Sequence, residues 1–388
     1  MTRASLSCST LKSPDPLICG ILKFRKVLKN VNLSAAMNQN LTEEDCLPTP
    51  DHDVVTSHAG GLRVVALGGG TGLSTLLHGL REHVALAGPH AASTPISDLA
   101  AVVSVTDDGG SSGRLRKHFN MLPPGDLRNC MVALSEEEDL LSRLFNHRFQ
   151  KGDTLKGHNF GNLFVAALTE ITGDFGQAIQ LTSKILATRG RVYPITTTNT
   201  TLVARMDDGS EVRGETNITA SRLRISELML EPKNVQPLPE ALEAIALADL
   251  ITIGPGSLYT SLITNLLVRG IPHALATARG IRVYVCNLMS EANESLGLTA
   301  AEHIERIYDH AREPIFDYAV VNTPSFSAET LARYAAEGAS PILPDVERIE
   351  ALGVRCIAGN FSREDTYVRH DANRLTAALL ALGQQPRP

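Results

Sequence analysis

The stretch Asp107-Asp108-Gly109-Gly110-Ser111-Ser112-Gly113-Arg114 sets two carboxylates directly before a run of small residues. A carboxylate pair of this kind can hold Mg²⁺, bind a ribose, or take the proton of a nucleophile. Gly109, Gly110, Ser111 and Ser112 add backbone N–H and hydroxyl donors. Arg114 and Arg116 can meet a phosphate in bidentate geometry. Asp-Gly is also turn chemistry, so a purely structural role for one of the two carboxylates stays open.

Gly68-Gly69-Gly70-Thr71-Gly72 is a second candidate. Glycine lets a backbone approach a ligand closely, and the N–H groups of a following helix favour an anion. The loop is not the dinucleotide fingerprint, because Leu73 stands where the third glycine belongs. It is not a phosphate loop of the G-K-[ST] kind either. Gly254-Pro255-Gly256-Ser257-Leu258-Tyr259-Thr260 is a similar junction, in which Ser257 can cap a helix and Tyr259 and Thr260 can face a crevice. Two such junctions suit a ligand with two ends, such as a diphosphate-linked nucleotide. Asn287 and Asn322 end strands and can offer side-chain amides. In Gly157-His158-Asn159-Phe160-Gly161-Asn162, His158 is either a general base or a hydrogen-bonded structural histidine, and Asn159 and Asn162 are candidate ligand contacts. Arg128, in Pro123-Pro124-Gly125-Asp126-Leu127-Arg128-Asn129, can reach a phosphate or lie on the surface.

These loops need strand ends to hold them. Leu62–Leu67, Ala100–Val105, Asp249–Ile253, Arg282–Cys286, Tyr318–Val321 and Val354–Ile357 are short apolar runs of buried-strand type. Helical spacing follows Gly72 (Leu73, Leu76, Leu77, Leu80) and covers 161–172, 175–187, 239–248, 258–268 and 372–382. Ser135 with Glu138, and Thr299 with Glu302, read as capping boxes that open helices. Asp208-Gly209 between Leu202–Met206 and Glu211–Arg213 predicts a β-hairpin. The expected fold is therefore α/β: a Rossmann-like, doubly wound, mostly parallel sheet with an added antiparallel β-hairpin. Residues 61–388 form one domain, with the hairpin insertion near 192–215. Residues 1–60 form a flexible extension, with Met37 as an alternative translation start. In such sheets ligands sit at the carboxyl ends of the strands, where the loops above converge.

Composition narrows the class. The chain has 388 residues, 43% apolar, with no Trp and a formal net charge of −6. That balance gives no global reason to coat nucleic acid, and no run suits a membrane span. Cys8, Cys19, Cys46, Cys130, Cys286 and Cys356 form no C-x-x-C pair, which argues against a zinc site or a disulfide framework and for a cytoplasmic protein.

The combination of GGGTGLS at 68–74, DDGGSSGRLR at 107–116, LPPGDLRNC at 122–130, GHNFGN at 157–162, GPGSLYTS at 254–261 and YVCN at 284–287 resembles the gluconeogenesis factor (YvcK-like) family over residues 62–325. That family is related to the 2-phospho-L-lactate transferases (CofD-like) of coenzyme F420 synthesis. The resemblance implies a cytoplasmic protein that binds a UDP-sugar such as UDP-N-acetylglucosamine and supports cell shape and envelope synthesis during gluconeogenic growth. It implies Gly69, Gly70 and Thr71 near the phosphates, Asp107 and Asp108 in the crevice, and 254–260 with Asn287 completing the site. A homo-oligomer and envelope-synthesis proteins are the candidate partners. The transferase branch implies a different outcome: Mg²⁺ on Asp107 and Asp108, and transfer of a phospholactyl group from a nucleotide-activated donor. Where the bacterial branch reads M-T-Q-P-G-E-T, this chain reads Met289-Ser290-Glu291-Ala292-Asn293-Glu294-Ser295, keeping the acidic position at Glu294.

Overall fold

The computed structural model describes residues 61–85, 95–136, 140–291 and 294–385. The extension expected over 1–60 and the Met37 start lie outside the described residues. The strands are β1 (Leu62–Gly68), β2 (Ile96–Val103), β3 (Arg191–Pro194), β4 (Thr201–Met206), β5 (Glu211–Arg213), β6 (Ile225–Glu231), β7 (Leu250–Ile253), β8 (Ile281–Val285), β9 (Tyr318–Asn322), β10 (Arg355–Gly359), β11 (Ser362–Glu364) and β12 (Val368–His370). A seven-stranded sheet runs β10-β9-β8-β7-β1-β2-β3, and every neighbouring pair in it is parallel. From β1 the chain builds outward through β2 and β3, then returns to start the other half at β7. The strand order reverses between β1 and β7, which is where a doubly wound sheet opens a crevice.

The apolar runs become strands because helices cover both faces of the sheet, so Val64–Leu67 and Leu99–Val103 are buried without alternation. Helix α1 (Gly70–Arg81) buries Leu73, Leu76, Leu77 and Leu80, spaced for one helical face. Next come α2 (Gly110–Phe119), α3 (Gly125–Leu134), α4 (Leu140–Asn146), α5 (Phe160–Thr172), α6 (Phe175–Ile185), α7 (Glu215–Ala220) and α8 (Pro239–Leu247). The second half adds α9 (Ile271–Thr277), α10 (Ala300–Ala311), α11 (Ala328–Ala336), α12 (Val346–Ala351) and α13 (Ala372–Gly383). Thr299 and Glu302 make both arms of the expected capping box on α10.

Several local expectations change. Ser135 directly follows α3 with an extended backbone, and its hydroxyl donates to the Leu186 carbonyl (2.8 Å). Glu138 lies outside the described residues. Val192–Pro194 joins the main sheet beside β2. The hairpin β4–β5 forms as expected, but it pairs with β6 in a separate three-stranded antiparallel sheet. Gly110–Arg114, read from sequence as the end of a loop, instead opens the helix Gly110–Phe119.

At the amino ends of the strands, opposite the crevice, Arg282 and Asp317 tie β8 to β9. Asp317 accepts from the Arg282 backbone N–H (2.9 Å), Nε (2.9 Å) and Nη2 (2.6 Å), and both side chains are only 9% exposed. Removing one partner leaves a buried charge. Asp317→Ala is expected to cost about 3 kcal/mol of stability, read as a lower urea midpoint at unchanged slope.

Candidate active-site crevice

The crevice begins where β1 and β7 end. Gly69 is extended and Gly70 starts α1 at φ +66°, a region that favours glycine. On the neighbouring strand Gly254 sits at φ +89°. A Cβ on Gly72 would lie 2.5 Å from the Pro255 carbonyl oxygen, so the two loops touch backbone to backbone. Asn287, just past β8, clamps the second loop: its Nδ2 donates to the Gly256 carbonyl (2.8 Å) and its Oδ1 accepts the Gly256 N–H (3.1 Å). The two loops enclose a cavity of about 280 Å³. Gly69, Gly70, Thr71, Gly72, Pro255, Gly256, Ser257 and Asn287, all expected from sequence, line it.

The far rim comes from residues that sequence reasoning missed. Arg369 and His370 of β12 and Tyr334 of α11 line the same cavity. His370 Nε2 donates to the Cys286 carbonyl (3.1 Å), and burial holds that imidazole down at about 4, so it stays neutral. This bond pins β12 to the end of β8 and sets Arg369 on the rim. The Arg369 side chain makes no hydrogen bond or ion pair among the described residues. Asn322 supports the same arm, its Oδ1 accepting the Phe361 N–H (2.8 Å).

The second glycine junction leads into a π-helical turn, Leu258–Ile263, in place of the regular helix expected there. Its first N–H groups are already used. Glu294 Oε2 accepts from Tyr259 N–H (3.1 Å) and Thr260 N–H (3.2 Å), while Oε1 accepts from the Thr260 hydroxyl (2.8 Å). Tyr259 and Thr260 are buried against their own fold instead of lining the cavity; the Tyr259 ring meets His310 edge-on. Ser257 donates to Glu291 Oε1 (2.9 Å). Burial and the neighbouring Glu294 raise Glu291 to about 7.

Beside the first loop lies an acidic shelf. Asp126 Oδ2 accepts the Gly70 N–H (2.9 Å), which joins the shelf to the crevice. Asp107 Oδ1 accepts the Gly109 N–H (2.9 Å), and Oδ2 lies against Gly125. Asp108 is used structurally, its Oδ1 accepting both the N–H (2.9 Å) and the hydroxyl (2.6 Å) of Thr216. Burial, reinforced by Asp107, raises Asp126 to about 6. Burial, then Asp107 and Asp126, raises Glu215 to about 9. Neither Asp126 nor Glu215 was singled out from sequence, because only the fold brings α3 and α7 to the end of β2.

Like charges this close call for a cation or a proton. Among the described residues no three His, Cys, Asp or Glu side chains converge as a metal cage. Mg²⁺ does not require one: it takes one or two carboxylates and completes its shell with water and ligand phosphates. Asp107, with one oxygen outside the Gly109 bond, suits that mode.

The remaining expected residues stand behind the shelf and do not line the cavity. Ser111 Oγ bonds His158 Nδ1 (3.1 Å) and accepts the Asn159 N–H (3.3 Å). Asn162 Nδ2 donates to Ser112 Oγ (3.4 Å), and Asn159 caps α5 through the Asn162 N–H (3.2 Å). Arg114 donates to the Lys156 carbonyl (3.0 Å). Burial, then Arg114, lowers the His158 pKa. Arg128 turns to Asn129 Oδ1 (2.6 Å), and burial brings it down to about 10.

The raised carboxylates set a pH dependence. Glu215 binds its proton more tightly folded than unfolded, so its contribution is complete below the unfolded value near 4.5 and is lost as pH rises toward 9. The loss approaches about 1.4 kcal/mol per pH unit for one proton. Glu215→Gln is therefore expected to match the wild type in urea stability at pH 5 and to exceed it at pH 8. Equal slopes in the two proteins would contradict this.

The comparisons agree with this architecture. The family model described as 2-phospho-L-lactate transferase CofD matches residues 64–362. A gluconeogenesis factor of Halalkalibacterium halodurans is 46% identical over 318 residues, 82% of this chain and 95% of that protein. A gluconeogenesis factor of Bacillus subtilis is 41% identical over 321 residues, 82% of this chain and 98% of that protein. A crystal structure of a UPF0052-family protein from Bacillus halodurans superposes with a TM-score of 0.77 at 44% identity, covering 82% of this chain and 99% of that one. The chain belongs to the gluconeogenesis-factor family.

Proposed function

We propose that, as a member of that family, this protein binds a nucleotide sugar of the UDP-N-acetylglucosamine type in the crevice between β1 and β7. In this reading it acts as a cytoplasmic regulator that couples carbon state to cell shape and envelope synthesis through protein partners. The observation that carries the reading is the backbone contact between two glycine junctions at the switch point, with an unpaired arginine on the opposite rim. At the start of α1 the Gly70 N–H is already held by Asp126, and the next N–H groups of the first turn, at Thr71 and Gly72, have no partner within the helix and can meet a phosphate. Arg369 supplies the compensating charge. Mg²⁺ on Asp107 would neutralise the shelf beside the diphosphate and supply electrostatic stabilisation there.

The acidic shelf and the transferase family model favour a second reading, a Mg²⁺-dependent transferase acting on a nucleotide-activated donor. Binding a nucleotide does not by itself break its bonds. Calorimetric titration of UDP-N-acetylglucosamine, with and without Mg²⁺, into the wild type and Asp107→Asn separates the two. The regulator reading expects saturable binding, Mg²⁺ enhancement lost in the variant, and nucleotide recovered intact. Turnover of the nucleotide would support the transferase. No binding at all would remove the UDP-sugar assignment.

A further inference from the structure

A second cavity, about 340 Å³, shares no lining residue with the crevice. It forms where the segment between α7 and β6 meets the link between β8 and α10. Arg222, Arg224 and Arg306 line it together with Leu223, Leu296 and Leu298. The side chains of Arg222 and Arg224 have no hydrogen-bond or ion-pair partner among the described residues. Among the described residues the Arg306 side chain pairs with Asp309 alone, one helical turn along and 3.5 Å away. Two further carboxylates line the cavity. Glu294 is held by the Tyr259 and Thr260 N–H groups, and Asp207 forms no ion pair with the arginines. The cavity therefore carries three guanidinium groups against two carboxylates, neither of which is ion-paired with them. Beside them, Leu223 is 37% and Leu296 48% exposed.

Guanidinium groups favour phosphate, which they meet with paired N–H donors, and the leucines favour an apolar body next to it. The volume is at the small end of ligand cavities, enough for a compact ester. We propose that this cavity is a second ligand site, specific for a small phosphate monoester with an apolar or planar body and independent of the crevice.

Phenyl phosphate is the probe, with inorganic phosphate as its counterpart lacking the body. Both are titrated calorimetrically into the wild type, Arg222→Ala/Arg224→Ala and Arg369→Ala. The expected result is saturable binding of phenyl phosphate, several-fold tighter than inorganic phosphate. It should be equal in Arg369→Ala and weaker by about tenfold or more in the double variant. Both arginines of the pair are exposed, so the double variant should keep the wild-type urea midpoint. Absence of binding to the wild type, or unchanged binding in the folded double variant, would overturn the proposal. Loss of binding in Arg369→Ala alone would place the ester in the crevice and overturn it equally.

Discussion

Arg369→Ala is expected to weaken nucleotide-sugar binding by about 10- to 100-fold while leaving the fold intact. A hydrogen bond to a charged group contributes about 1.5–3 kcal/mol, and each 1.4 kcal/mol is tenfold in affinity. Arg369 is exposed, lines the crevice, and among the described residues makes no side-chain pair whose loss would unsettle β12. The anchor of that strand is the neighbouring His370, through the Cys286 carbonyl. The substitution therefore removes the proposed ligand contact without removing a strut. Calorimetry of the wild type and the variant tests it, with urea midpoints to check the fold. A change in Kd of less than about threefold would place the phosphates away from this rim. Arg369→Lys should recover only part of the affinity, since an ammonium keeps the charge but not the fork.

A larger effect is expected at Gly72. A Cβ there would stand 2.5 Å from the Pro255 oxygen and 2.8 Å from its carbonyl carbon, and both obstacles are backbone. Gly72→Val must push the two glycine loops apart. The Gly256 backbone is held by Asn287 on its other side, so the displacement has no soft direction. Overpacking of this kind costs about 1–3 kcal/mol. The crevice would lose the spacing between its two junctions, and binding should fall by about 100-fold or more. The comparison that isolates the cause is Gly79→Ala, on the same helix but outside the cavity, where a Cβ would meet Thr376 Oγ1 at 2.5 Å. It should also destabilise but leave affinity near wild type. Equal loss of affinity in both variants would mean that α1 stability, not loop spacing, controls the site.

The two effects differ in what they report. Arg369 tests the chemistry of the ligand, a negative charge at the rim. Gly72 tests the shape that brings the charge there. The Asp107→Asn titration adds the cation, and Glu215→Gln measures the repulsion that makes a cation welcome.

Sequence by itself determined the framework of the site. A buried parallel strand reads as an unbroken apolar run, and a glycine turn at its end leaves few alternatives. The β1–α1 junction and the glycine turn after β7 were therefore legible, as was the hairpin around Asp208-Gly209, although the π-helical turn after Ser257 and the burial of Tyr259 and Thr260 were not. The capping box on α10 was legible for the same reason: its partners are three residues apart. Local chemistry was enough in each case.

Tertiary structure alone decided which polar groups meet. Asp126 joins Gly70 from 56 residues away, and Glu294 closes the Thr260 N–H from 34 residues away. Neither pairing leaves a mark on local spacing. The same distance effect turned Asp108 into an anchor for Thr216 and drew His158 into the network behind the shelf. Arg369 sits on a three-residue strand, too short for any periodic signal, and its place on the rim comes from His370 pinning that strand to β8. Sequence spacing specifies what each segment is. The order of strands in the sheet specifies which segments share a crevice, because burial of the whole core, and no single segment, sets that order.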